Sequence, residues 1–393
     1  MEPGTSKNFL KDYVRLSLDT EIPDIFMFWC GLSTLSAALG RRLWIDRGEF
    51  VIYPNLYVVL VASSGRCRKS TSIAIASRLL RVVEPPINII AQKITNEALI
   101  ETLRVVHMED EKTILRETCE GFIIASELST FLNRKSYEGG LGSSLISFYD
   151  CEDPFEYRTR GRGSEMLRNT CLGLLAGTTI HSIRTAIPMN AVGEGLTSRI
   201  CFVSVEIPPP PVAITRTSKE KKHLHGMLER RLQEVSRIRG EVVLSEEAER
   251  FHEELYNEFY KSSPFWSDPL MSGYASRRFI HLQKLAMLFM VSEGDELVVQ
   301  KRHVTFANNI LRQSEVDMQK VVRMIASSEQ GILIDLILDH VTKVRRIART
   351  DLLKSLSHRV GTKELSDLIE TLVHTGQIQS SVINGKLGYE LAE

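Results

Sequence analysis

The segment at residues 58–71 constrains the fold more than any other part of this chain. An apolar run at 58–62 breaks into a short turn of small residues, and an amphipathic helical pattern follows from Ser72 to Leu80. A strand, a turn and a helix in this order suit a nucleotide phosphate, because the N–H groups of the turn and the positive end of the helix face the anion. The expected contact residues are consecutive: Ser63, Ser64, Gly65, Arg66, Cys67, Arg68, Lys69, Ser70 and Thr71.

Two residues of this turn have a specific expected role. In a phosphate loop, a lysine at the position of Lys69 reaches the β- and γ-phosphates of ATP, and a serine at the position of Ser70 ligates Mg²⁺. The match to G-x-x-x-x-G-K-[ST] is imperfect, because Ser63 and Arg68 occupy the two glycine positions. Lys-Ser before a helix is also common by chance, so the assignment depends on the motifs that follow.

Composition and segment patterns set further limits. The chain has 393 residues, 49 Lys and Arg, and 49 Asp and Glu, so a nucleic-acid surface must be a local patch. No signal peptide begins the chain and no run approaches the ~20 apolar residues of a membrane span, so we expect a cytoplasmic protein with no membrane partner. The six cysteines lack C-x-x-C spacing, which predicts reduced core residues and argues against a structural zinc.

Four segments follow from the order of apolar patterns. Residues 1–50 are an N-terminal helical segment, and residues 51–212 alternate strands with helices, which predicts an α/β core with a parallel sheet. The four prolines at 208–211 end this core, and 213–325 is helical. Residues 326–393 read as three helices and a hairpin with an Asn384-Gly385 turn, which predicts a winged-helix DNA-binding domain. Its expected recognition helix runs from Lys363 to His374, and its expected phosphate anchors are Arg345, Arg346 and Arg349.

Two core strands end in polar residues. The run at 121–127 ends in Glu127, the expected water-activating carboxylate and a second candidate Mg²⁺ ligand; Ser126 stands where an aspartate would support the metal. The alternative is a solvated glutamate at the end of a buried strand. The run at 172–179 ends in Thr178 and Thr179, either of which could orient the attacking water, with Thr178 as the catalytic candidate. A threonine-rich strand end without a catalytic role is the alternative.

Arginines supply the remaining candidates. Arg199 lies on a glycine-containing turn before the last core strand, where it could act as an arginine finger toward a neighbouring subunit; the alternative is an intrachain salt bridge. Arg277 opens a helix of the helical segment and could reach the phosphates across the cleft. Residues 155–164 predict a basic β-hairpin whose Arg158, Arg160 and Arg162 contact the DNA backbone, or else a solvated charged loop.

The order of these motifs resembles P-loop ATPases of the AAA+ type, specifically the helicase-like proteins of phages, prophages and other mobile elements. It is also similar to the minichromosome maintenance helicases, which share a phosphate loop, an acidic strand end, a basic hairpin, a Ser-Arg-Phe finger, a lid and a winged helix. The matching positions are Lys69 and Ser70, Glu127, Arg158 to Arg162, Ser198-Arg199 and Arg277. Arg68, Ser126 and Ile200 depart from that pattern.

The resemblance implies a function for the whole chain. It implies ATP hydrolysis with Mg²⁺ at the subunit interfaces of a homo-hexameric ring, which moves DNA through a basic pore during replication of a phage or mobile element, with a primase or an initiator as partner. The alternative is an ATP-switched DNA-binding initiator or loader with little hydrolysis, which Arg68 and Ser126 favour. A RecA-like core is a third option, and the long helical segment after Pro211 argues against it.

Overall fold

The computed structural model describes residues 8–91, 93–104, 106–108, 115–159, 163–216, 218–327, 329–356, 361–383 and 385–391. The chain divides into two compact units, residues 1–325 and residues 326–393. The division lies at the last of the three boundaries between the four predicted segments. The other two boundaries, near residues 50 and 212, lie inside the first unit.

The first part of unit 1 alternates helices and strands. In chain order these are α1 (Phe9–Val14), α2 (Asp24–Leu39), β1 (Leu43–Asp46), β2 (Val51–Ile52), β3 (Tyr57–Ala62), α3 (Lys69–Leu80), β4 (Ile89–Ile90), α4 (Asn96–Leu103), β5 (Val106–Met108), β6 (Leu115–Glu117), β7 (Cys119–Ala125), α5 (Leu128–Phe131), α6 (Arg134–Ser136), α7 (Gly142–Tyr149), β8 (Phe155–Thr159), β9 (Gly163–Leu167), β10 (Thr170–Thr178), α8 (Ile183–Ala186), α9 (Asn190–Gly193) and β11 (Ile200–Val205).

Five of these strands form one parallel sheet in the spatial order β11–β3–β10–β7–β4. Numbered by their order along the chain, the strands therefore lie 5-1-4-3-2. The register pairs Ile200 with Tyr57 at the amino-terminal edge, and Thr178 with Val61 at the carboxyl-terminal edge. The parallel α/β core expected from the alternating pattern is confirmed.

Helices cover both faces of the sheet, and every residue of its strands β3 and β10 is buried. Alternate residues of β3 enter different cores. Val58 and Leu60 pack with α2 and α3, whereas Tyr57 and Val59 pack with α4 and α7. All six cysteines are free and buried, in agreement with their apolar contexts.

The rest of unit 1 is mainly helical. Its elements are α10 (Lys219–Val235), β12 (Gly240–Glu241), β13 (Val243–Leu244), α11 (Glu246–Ser262), α12 (Ser272–Ala275), α13 (Arg278–Glu293), β14 (Val298–Val299) and α14 (Lys301–Ala326). Strand β12 adds to the β1–β2 pair, so a small separate sheet ties this region to the N-terminal segment. Helices α10 and α13 share the core of α2 and α3, and the end of α14 enters the other core. The N-terminal segment, the sheet and the helical segment therefore fold together.

Unit 2 has the element order helix, strand, helix, helix, hairpin. Its elements are α15 (Glu329–Val344), β15 (Arg346–Ala348), α16 (Arg349–Leu356), α17 (Thr362–His374), β16 (Ile378–Ile383) and β17 (Lys386–Leu391). The strands form an antiparallel sheet in the order β15–β17–β16 over a separate core that includes Ile337, Leu352 and Ile369. Gly385 has a φ of 74°, as the hairpin turn requires, and Asn384 lies outside the described residues.

Helix α4 is capped by Thr95, which accepts a hydrogen bond from the Ala98 amide at 3.3 Å, and the helix ends at Leu103. A short antiparallel pair, β5 and β6, follows it. Among the helices of the described residues, none combines the length and apolarity that crossing a membrane requires.

Candidate phosphate-binding site

The turn after β3 has a left-handed backbone at three positions, Gly65, Cys67 and Arg68, with φ of 70°, 63° and 46°. Arg68 occupies a motif glycine position and adopts a conformation that glycine reaches without strain. Its guanidinium is held by the carboxylate of Glu21, with Nε and Oε2 2.6 Å apart. The turn thus keeps a glycine-like geometry with an arginine whose side chain points to the N-terminal segment.

Lys69 begins α3 and its side chain folds back over the turn. It is buried, and its Nζ donates to the carbonyl oxygens of Ala62 at 2.8 Å and Ser63 at 3.1 Å. Burial lowers the pKa of Lys69, and the nearby carboxylate of Glu127 opposes that shift. By contrast, residues 63–66 and the Ser70 and Thr71 side chains at the start of α3 are exposed. A buried ammonium beneath an exposed turn suits an anionic ligand that binds from solvent.

Glu127 and Thr178 meet beside this turn. Thr178 Oγ1 donates to Glu127 Oε1 at 3.2 Å, because β7 and β10 are adjacent and end at the same edge of the sheet. Space between β10 and α3 is tight: a Cβ added to Gly177 would lie 2.8 Å from the Ser126 carbonyl oxygen and 3.6 Å from the Lys69 Cβ. Of the two threonine candidates, the structure joins Thr178 to the carboxylate, whereas Thr179 Oγ1 donates to Ser182.

The oxygen groups near the turn fit a hard cation that the nucleotide helps to bind. The Ser70 hydroxyl and the Glu127 carboxylate are ligands of the kind Mg²⁺ prefers, with phosphate oxygens and water completing its shell. Within the part of the chain that the structure describes, no cluster of three or more His, Cys, Asp or Glu side chains could hold a metal alone. Ser126 is exposed and carries a hydroxyl where the motif has a carboxylate.

Arg199 and Arg277 lie at the opposite edge of the sheet. Arg199 precedes Ile200, which pairs with Tyr57 at the start of β3, whereas Lys69 follows the end of β3. A six-residue strand spans roughly 16 Å at about 3.3 Å per residue. Both arginines bind Asp150 there. The expectation that Arg277 reaches the phosphates across the cleft stays a prediction, and within this chain its partner is Asp150.

Arg199 is buried in the intrachain salt bridge that was the alternative to its role as a finger. It donates from Nε and Nη2 to Asp150 at 3.2 and 2.5 Å, and from Nη1 to the Gly195 carbonyl oxygen at 2.7 Å. Its side chain is 6% exposed, against 24% for Arg277. Of the two arginines, Arg277 is therefore the more accessible one.

The predicted basic hairpin is an antiparallel pair, β8 and β9. Arg158 is exposed, with Nη2 3.4 Å from Glu156 Oε2, a weak contact that leaves the guanidinium open to an anion. Arg160 and Arg162 lie outside the described residues. The hairpin directly precedes β10, so it joins the sheet at the same edge as Asp150.

Unit 2 does not present a basic surface on its expected recognition helix. On α17, Glu364, Asp367 and Glu370 are exposed alongside Lys363. Of the three expected anchors, Arg346 is paired with Glu390, Arg349 Nη2 donates to Ser366 at 3.0 Å, and Arg345 is exposed. Residues 326–393 carry nine Asp and Glu against eight Lys and Arg. This charge balance disfavours phosphate contact through α17.

The sequence analysis did not identify Asp150, which directly follows α7 and belongs to no motif. It also missed the buried group around the start of β3, where Lys284 Nζ donates to Asn55 Oδ1 and His281 Nε2 donates to the Ser198 carbonyl oxygen at 2.9 Å. His281 and Lys284 lie on α13, whose apolar pattern predicts only core positions. Comparison with protein-family models and with curated proteins found no match for this chain.

Proposed function

We propose that this chain is a Mg²⁺-dependent ATPase of the AAA+ type. The observation that carries the proposal is the meeting of Lys69, Glu127 and Thr178 at the carboxyl edge of a parallel sheet ordered 5-1-4-3-2. Carboxyl ends of parallel strands are where α/β proteins bind ligands. The three side chains come from three different strand ends, so the fold itself assembles the site.

Each residue has a distinct task in this proposal. The Lys69 ammonium exchanges two carbonyl oxygens for phosphate oxygens, and the exposed amides of the turn bind the same anion. Glu127 orients the attacking water and accepts its proton, and Thr178 holds the carboxylate in place through the 3.2 Å hydrogen bond. Bound Mg²⁺ would neutralise phosphate charge, with Ser70 and Glu127 as its protein ligands.

Ring assembly is part of the same proposal. The arginines at Asp150 lie at the sheet edge away from Lys69, so an ATP-bound site could receive the more exposed one, Arg277, only from a second copy of the chain. A homo-hexamer with the helical segment as lid and the Arg158 hairpin toward its channel would act as a cytoplasmic DNA helicase. Unit 2, with the element order of a winged helix, would serve a primase or an initiator, because its exposed acids suit a basic protein segment better than DNA.

A second function, an ATP-switched initiator or loader, is favoured by one specific feature. Ser126 places a hydroxyl where a carboxylate would support the metal, which predicts slow turnover. Such a switch would bind ATP tightly and assemble on DNA while hydrolysing little.

ATP turnover with and without single-stranded DNA separates these functions. For the helicase we expect turnover that DNA stimulates, and for the switch slow turnover that DNA leaves unchanged. Glu127→Gln should bind ATP normally yet lose turnover, whereas Lys69→Ala should lose binding. Exposed Glu101, on the outer surface of α4, supplies the matched control Glu101→Gln. Wild-type turnover by Glu127→Gln would contradict the assignment of the site.

A further inference from the structure

One carboxylate joins the two arginines at the amino-terminal edge of the sheet. Asp150 Oδ1 accepts from Arg199 Nε at 3.2 Å and from Arg277 Nη1 at 2.9 Å. Its Oδ2 accepts from Arg199 Nη2 at 2.5 Å and from Arg277 Nη2 at 3.2 Å. Both oxygens are thus shared by two bidentate pairs, a geometry that fixes the planes of both guanidiniums.

Three different elements bring these groups together. Asp150 follows the last turn of α7, Arg199 precedes β11, and Arg277 precedes α13. The neighbouring residue Tyr149 is held firmly, since its ring packs 5.0 Å from that of Tyr57 and its hydroxyl lies 3.2 Å from His281 Nδ1. Asp150 therefore extends from a packed support, and both arginine side chains are oriented by it.

Of the three side chains, Arg199 is buried, whereas Arg277 and Asp150 are partly exposed to solvent. Arg199 is 6% exposed and also tied to the Gly195 carbonyl oxygen, whereas Asp150 is 36% and Arg277 24% exposed. Two guanidiniums around one carboxylate leave a net charge of +1 at this surface. Without the carboxylate, the guanidiniums of Arg199 and Arg277 would repel each other at this half-buried position. Arg277 would then change its orientation, because Arg199 is also held by the Gly195 carbonyl oxygen.

We propose that Asp150 is a positioning residue that orients Arg277, with Arg199 as its buried anchor, toward the ATP of a second copy of this chain. The inference rests on the proposed ATPase function. Asp150 touches neither nucleotide nor water in this arrangement and acts only through the arginines. Replacing Asp150 should therefore impair the ATP site of the neighbouring copy and leave the chain's own site intact.

Mixed assemblies test this directly. Asp150→Asn alone should bind ATP with wild-type affinity and lose at least tenfold in turnover, because a transition-state arginine contributes a factor of about 10³ or more. Mixing it with inactive Lys69→Ala should raise turnover well above that of either variant alone, since the Asp150→Asn site then receives intact arginines from the Lys69→Ala copy. Asp153→Asn, which breaks the Asp153–Arg41 pair of 3.0 Å three residues away, is the matched control and should keep wild-type turnover.

The outcomes are distinct. Wild-type turnover by Asp150→Asn, or a loss that mixing does not restore, overturns the inference while the ATPase assignment stands. Absence of ATP turnover in the wild-type chain overturns the proposed function and this inference together. Should Asp150→Asn fail to fold, Asp150→Glu keeps the charge one methylene further out. It should show a smaller loss that the same mixing restores, and a loss without restoration contradicts the inference equally.

Discussion

At the scale of single residues, Arg68 pays a conformational cost that its side chain offsets only in part. A left-handed backbone costs a non-glycine residue about 1–2 kcal/mol, whereas an exposed ion pair such as Arg68–Glu21 contributes about 0.2–1 kcal/mol. We expect Arg68→Gly to raise the free energy of unfolding by up to about 1 kcal/mol. Denaturant unfolding of the two proteins measures this difference. A clear loss of stability would mean that the Glu21 pair outweighs the backbone strain.

His281 makes a second prediction, about acid stability. Burial lowers its pKa from the usual 6.5 to about 4, and nearby Lys284 and Arg277 add to the effect of burial. A depressed folded-state pKa means that the unfolded chain binds the proton first, so stability is full above pH 6.5 and falls as the pH drops toward 4. The contribution of this group is on the order of 3 kcal/mol.

The variant His281→Gln should reduce the pH dependence of the free energy of unfolding in this range. Its free energy of unfolding is expected to be lower than that of the wild type at pH 7 and to change less between pH 6.5 and pH 4. His252, with a pKa also lowered to about 4 by burial, continues to titrate in both proteins and serves as the internal comparison. An unchanged slope in denaturant unfolding across this range would show that His281 is not the group responsible.

At the scale of elements, the strands could be predicted because their apolar runs are complete. Every residue of β3 and β10 is buried, and strands buried on both faces appear in a sequence as nearly continuous apolar runs. Their spatial order could not be read, since periodicity does not specify which strands pair. An intrachain salt bridge was one alternative for Arg199, but its partner could not be identified, because Asp150 is 49 residues distant in sequence. The site was predictable where its residues follow strand ends and unpredictable where a remote carboxylate decides the contact.

Strand β10 offers a test of how closely the site depends on packing. An added Cβ at Gly177 would lie 2.8 Å from the Ser126 carbonyl oxygen, next to Lys69, and would separate β10 from the end of β7. We expect Gly177→Ala to cost about 1–3 kcal/mol of stability and to weaken both ATP binding and turnover. Calorimetric titration and a turnover assay measure the two effects.

Gly173 is the matched control on the same face of the same strand. Its added Cβ would lie 2.5 Å from the Phe122 ring, far from Lys69, so Gly173→Ala should lose comparable stability while ATP affinity stays at the wild-type value. Equal effects of both variants on ATP affinity would mean that general destabilisation, rather than local geometry at the phosphate turn, controls binding.

At the scale of the whole molecule, the two units have separate cores. Unit 1 buries the sheet between two apolar clusters, and the cluster of unit 2 consists of residues from α15 to β17. Lys69, Glu127, Thr178, Asp150 and both arginines that it binds all belong to unit 1. We therefore expect a chain ending at residue 325 to fold and to keep its ATP turnover within about twofold, as a coupled assay would measure.

DNA binding gives the last prediction, because the predicted basic hairpin, which contains Arg158, belongs to unit 1. Unit 2 carries nine acidic and eight basic residues, so its removal should change DNA affinity little. Replacing Arg158, Arg160 and Arg162 by alanine should instead weaken DNA binding. The slope of log K against log salt concentration should become shallower by about 0.7–0.9 for each lost phosphate contact. Titration of a labelled single strand at several salt concentrations measures both. Loss of affinity on truncation, with none in the triple variant, would move the DNA contact from the β8–β9 hairpin to unit 2 and favour the initiator over the helicase.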